Sequence, residues 1–137
     1  MNSIKKLLTI SIFGFVCLIQ TALAQISPTH EIIAYTLATE LSDDFNVVES
    51  QKETSSTIIH MTGNYITENT AKILVIEKIV RKYNDIKIVY PWSYYDEYLA
   101  TVLQIQGFED YEIILLINSQ NSVCHLFIGV NDKRKKL

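Results

Sequence analysis

Two apolar runs, residues 113–117 and 123–130, lie close together with only the polar stretch Asn118-Ser119-Gln120-Asn121-Ser122 between them. Runs of this length and branching read as strands, and they are apolar enough to be central rather than edge strands. The polar stretch reads as a turn. Whatever else the chain does, it must build a sheet around this pair and cover it.

Upstream, helical and strand patterns are interleaved. Ser27-Pro28 reads as a helix cap followed by proline at the first helical position. Ile33, Leu37 and Leu41 then repeat every fourth residue, with Ile32, Ala34 and Ala38 beside them, and the pattern ends near Ser42-Asp43-Asp44. Residues 45–49 and 57–62 read as a strand pair joined by the polar stretch 50–56, with Gly63-Asn64 as the stop. Thr67 is a cap for a second helix, whose stripe includes Ala71, Leu74, Ile76, Ile79, Val80 and Tyr83. A strand over 86–90 is stopped by Pro91, and Ser93-Tyr94-Tyr95-Asp96 fits a capping box. The spacing of Tyr95, Leu99, Val102, Leu103 and Gln106 predicts a third helix, with Gly107 as its left-handed end. The expected order is α-β-β-α-β-α-β-β, an α+β fold with a mixed sheet and helices packed on one face.

The chain has 137 residues, of which 1–24 read as a secretory signal peptide. Lys5 and Lys6 supply the positive start, residues 7–19 the apolar segment, and Ala22-Leu23-Ala24 the cleavage site. Cys17 is preceded by Gly14-Phe15-Val16, which is not the pattern of a lipid-modified cysteine. One cysteine, Cys124, remains after cleavage and reads as a small buried hydrophobe. Such a chain is expected to be periplasmic or secreted. Cleavage removes two lysines and leaves ten bases against fifteen acids. Four of those bases stand in the tail, residues 132–137, so the single domain expected over 25–131 is strongly acidic. That excludes a nucleic-acid-binding face. One cysteine cannot support a disulfide framework, and no histidine has a second ligand three or four residues away on a helix, so no metal or cofactor is expected.

Residues 29–90 carry a helix, strand, strand, helix, strand pattern. Within it, Met61-Thr62-Gly63 is followed by Tyr65-Ile66 and a helix from Glu68, and Ile86-Lys87-Ile88-Val89 forms the closing strand. This stretch resembles a BON domain, a module of exported osmotic-stress and envelope proteins of bacteria. Asp85-Ile86 stands where that family has a Gly-Val pair, and the first hairpin is longer than in the family. His60-Met61-Thr62-Gly63-Asn64 is echoed by the stretch from His125 to Asn131, so 93–131 could be a partial second copy, though two apolar strands can look alike by chance. The resemblance implies a non-catalytic envelope module that contacts phospholipid or another envelope protein. Lys133, Arg134, Lys135 and Lys136 would then meet anionic head groups, unless the tail is simply solvated.

Chemistry is sparse. Cys124 and His125 are strand neighbours and point to opposite faces, so a Cys–His nucleophile would need Cys124 and His60. The acids Asp96-Glu97 and Glu109-Asp110-Glu112 read as caps and solvated charge. The densest feature is the segment 90–98, in which five of nine residues are aromatic against 10% of the chain. Tyr90 and Tyr95 read as inward. Trp92, Tyr94 and Tyr98, rimmed by Asp96 and Glu97, read either as a partner-binding patch or as a loop folded over the core edge. The sequence therefore points to an exported, non-catalytic binding or adaptor module of the bacterial envelope that recognises a protein or lipid. The alternatives are a small exported hydrolase using a Cys–His pair and an envelope stress protein that associates with phospholipid.

Overall fold

The computed structural model describes residues 29–134. The expected signal peptide and the Ser27-Pro28 cap lie outside the described residues, as do Lys135 and Lys136. Two helices and six strands follow in the order α1 (His30–Glu40), β1 (Asn46–Lys52), β2 (Ser56–Asn64), α2 (Glu68–Tyr83), β3 (Ile86–Tyr95), β4 (Tyr98–Ile105), β5 (Tyr111–Gln120) and β6 (Val123–Asp132). The strands form one sheet in the order β1-β2-β6-β5-β4-β3. Every pairing is antiparallel.

Each helix starts where a threonine hydroxyl takes up an orphan amide. Thr29 caps α1 by accepting from the Ile32 amide at 3.2 Å, and Thr67 caps α2 by accepting from the Thr70 amide at 3.2 Å. Ile33, Ala34, Leu37 and Ala38 of α1 are buried, with Leu41 just beyond its end. In α2 the buried line is Ala71, Val75 and Ile79, while Val80 turns outward. α1 lies against β2 and β6, and α2 against β5 and α1. Their apolar lines join Ile59, Met61, Leu103, Ile113, Leu115, Ile117, Leu126 and Ile128 in one core.

Two histidine and glycine contacts fix how the chain enters the sheet. Buried His30 places Nε2 at 3.0 Å from the Thr54 carbonyl, to which it donates, and Nδ1 at 2.7 Å from the Thr57 hydroxyl. This ties the start of α1 to the β1–β2 connection. Gly63 sits where a Cβ would come within 2.8 Å of the Asp44 carbonyl oxygen and 2.7 Å of Ile66 Cδ1. The lack of a side chain lets the turn after α1 lie directly on β2.

The expected fold class is overturned. Residues 93–105 form the end of β3 and all of β4 rather than a third helix, and the sheet is wholly antiparallel rather than mixed. The reason is visible in β4, where Leu99, Thr101, Leu103 and Ile105 alternate as buried residues on the side that faces the core. Alternation with β-branched residues is the strand pattern, and it competes with a helical spacing that uses some of the same positions. Asp96 turns the hairpin with φ 56°. Gly107 is left-handed, with φ 92°, but it follows a strand. Pro91 does not stop β3, because β3 is an edge strand where a missing amide removes no obligatory ladder bond. The register shifts there, between Tyr90 and Ser93. A further shift lies between Ile88 and Tyr90, and another, between Val47 and Glu49, interrupts the opposite edge.

Candidate functional site

Side chains alternate across a sheet, so the strands that bury one set against the helices present another set on the far side. Cross-strand register assembles that far side into rows. Ile58, Gly129, Ile114 and Val102 form one row, His60, Phe127, Leu116 and Ala100 the next, and Thr62 and His125 lead into Asn118 in the third. No described helix covers these rows. Ile58 stays 45% exposed, and Ile114, Leu116, Phe127 and Val102 are half-buried by one another. Gly129 contributes no side chain, which leaves a shallow groove of about 510 Å³ lined by Ile58, Ile114, Leu116, Phe127 and Gly129. Glu49, Gln51, Gln104, Glu112 and Asn131 stand at positions around this apolar centre.

A polar pair is set into the same face. His60 Nε2 and His125 Nδ1 are 3.0 Å apart. The His60 ring stacks on Phe127 at 4.3 Å with a 9° interplanar angle, and Tyr98 meets Phe127 edge-on at 5.9 Å. Desolvation, and next the charge of His125, hold His60 below its ordinary value of 6.5, against an opposing pull from Glu49. Glu49 is the cross-strand partner of His60 on β1.

The structure splits the aromatic segment between the two faces of the sheet. Tyr94 pairs with Leu99 and therefore shares the helix side, as does Trp92 two residues earlier. Trp92 is half-buried and packs beside α2 near Ile73, Ile76 and Ile88. Tyr94 donates to Glu68 at the start of α2, and that bond raises its phenol pKa. Tyr98 lies on the far side against Phe127. Asp96 and Glu97 form the hairpin turn, and the Glu97 carbonyl accepts from Asn118 Nδ2 at 2.8 Å. The five residues therefore form no single patch. Tyr90 and Tyr95, read as inward, are 60% and 66% exposed. Which aromatic points where follows from the β3–β4 register, which composition does not reveal.

Cys124 is fully buried on the helix side. Burial first, then the charge of Glu68, pushes its thiol up to about 11. His60 is on the opposite face, so the sheet separates the two partners of the Cys–His reading. At the C-terminal end, Arg134 donates from Nε to Asp132 Oδ1 at 3.0 Å and from Nη2 to Oδ2 at 3.1 Å. It also donates to the Tyr111 hydroxyl at 2.8 Å and lies 3.7 Å from an Asp110 oxygen. Of the four expected lipid-contacting bases, Arg134 is thus held against carboxylates, and Lys133 is exposed with its amide donating to the Asp110 carbonyl.

Among the described residues, no group of three or more His, Cys, Asp or Glu is arranged to hold a metal ion. No model of a known family, no characterised protein and no solved structure matches the chain.

Proposed function

We propose that the chain is an exported, non-catalytic binding module of the bacterial envelope, and that the uncovered sheet face recognises a protein partner. The observation that supports this is the apolar centre formed by Ile58, Val102, Ile114, Leu116 and Phe127 with polar positions around it. Contiguous apolar area with a polar border is the make-up of protein interfaces. A rigid sheet presents it with little ordering cost. Separation of Cys124 from His60 leaves the hydrolase alternative without its pair, and the engagement of Arg134 by Asp132 weakens the case for a lipid-binding tail.

Gly129 gives the test. A Cβ added there would lie 3.8 Å from Ile114, an ordinary contact, and Gly129→Val carries its two methyl groups beyond that Cβ to fill the groove. The variant should unfold at or above the wild-type temperature, since a β-branched residue suits a central strand. It should lose capture of any protein retained by the wild type from envelope extract, with the captured protein identified and its binding remeasured in purified form. Tyr94→Ala, on the other side of the sheet, should retain capture. Equal capture by Gly129→Val and the wild type, or retention only on anionic vesicles, rejects the reading.

A further inference from the structure

We propose that His60 and His125 form a two-imidazole site for a late first-row divalent cation, with Cu(II) held most tightly. Imidazole nitrogens sit about 2.0–2.1 Å from such an ion. Two ligands at a right angle are then about 2.9 Å apart, and two at a tetrahedral angle about 3.4 Å apart. The observed separation of 3.0 Å between His60 Nε2 and His125 Nδ1 is that of a hydrogen bond, and it lies close to the right-angle case, so an ion can replace the shared proton without moving the strands apart. That geometry belongs to square-planar and tetragonal sites, which favour Cu(II) and Ni(II).

Three features hold the pair in place. The strands carrying it are paired over their full length, with His60 opposite Phe127 and Thr62 opposite His125. The parallel stack on Phe127 fixes the plane of the His60 ring. Glu49, across the β1–β2 pair from His60, brings a negative charge to the same edge. Both rings are half-buried on the face that no helix covers, so an ion and its remaining water ligands have access from solvent.

Occupation requires both nitrogens to present lone pairs. In the hydrogen-bonded pair, one of the two carries the shared proton. Seating the ion moves that proton to the other nitrogen of the same ring, giving His60 protonated at Nδ1 and His125 protonated at Nε2. The His125 ring then turns, while His60 pivots within the plane of its stack on Phe127, so that the two lone pairs converge. No net proton is released from the neutral pair, and the ion stays divalent throughout.

The test is titration of the purified, chelator-treated chain with CuCl2, followed by calorimetry and by electron paramagnetic resonance. The expected result is one equivalent bound, with a tetragonal spectrum split by two imidazole nitrogens. His60→Ala and His125→Ala should each weaken Cu(II) binding about tenfold or more, and the double variant should be little worse than either. NiCl2 and ZnCl2 should bind more weakly, in the usual order of divalent affinities, and MgCl2 not at all. The spectrum of the wild type carries the test even if a variant fails to fold, and His125→Gln offers a variant of similar bulk. Absence of nitrogen splitting, or binding equally tight in both single variants, overturns the site. The titration needs no partner, so its failure is distinct from failure of the partner-binding reading.

Discussion

Cys124 shows how position decides chemistry. A thiol at the surface reacts as thiolate from about pH 8.5. In this protein the side chain is fully buried against the helix-side core, and its pKa is pushed up to about 11. Iodoacetamide at pH 8 should leave it unmodified in the folded protein and modify it fully in denaturant, as mass spectrometry would show. Rapid native-state labelling would contradict its placement. The sequence had supported a buried cysteine, because a lone thiol left after cleavage reads most simply as a small hydrophobe. His30 is a different case. Nothing in the sequence indicates that its two ring nitrogens are met by Thr54 and Thr57, since those partners depend on how α1 is laid against the β1–β2 connection.

At the scale of elements, turns explain where sequence reading succeeded and failed. The hairpin between β5 and β6 turns on Asn121 and Ser122, both left-handed, at φ 52° and 67°. That pair matches the twist of antiparallel strands, but serine is strained there. Ser122→Gly should therefore raise stability by about 0.5–1 kcal/mol, measured by urea unfolding. Its carbonyl bond from the Tyr65 amide, 2.7 Å long, is unaffected by the change. A loss of stability would show that the serine side chain has a role beyond the turn. The polar turn itself was legible. The β3–β4 hairpin was not, because Asp96-Glu97 is a weak turn signal and Ser93 with Asp96 imitates a helix cap. Leu99 and Leu103 fit either period, and Thr101 and Ile105 decide for the strand only once the turn is known. The two helices were legible from their four-residue spacing and, for α2, from the Thr67 cap, although α1 is capped by Thr29 and α2 is rotated so that Val75 rather than Leu74 or Val80 lies deepest.

For the whole molecule, the sheet order places β6 and β5 innermost and β1 and β3 at the borders. Every residue of β1 is exposed, whereas β5 and β6 alternate between buried and half-buried positions. Amide exchange should follow that gradient, with β1 opening first and the central amides of β5 and β6 exchanging only on global unfolding. Protection in β1 equal to that in β6 would mean that something covers this border in solution. The central placement of residues 113–117 and 123–130 was readable from their apolar runs. An uncovered face followed from helices expected on one side alone, but the apolar rows on it did not, because they are assembled by the cross-strand register. His60 and His125 were readable only as residues on strands that could be neighbours. Their 3.0 Å approach is set by the β2–β6 register.

Both flanks of the sheet have broken register, at Val47–Glu49 on one side and around Pro91 on the other. A smooth flank would offer a continuous ladder to the next copy and invite end-to-end zipping into fibres. Interrupted in this way, each flank offers only a short, bent ladder to a neighbouring copy, which disfavours polymerisation along the strands.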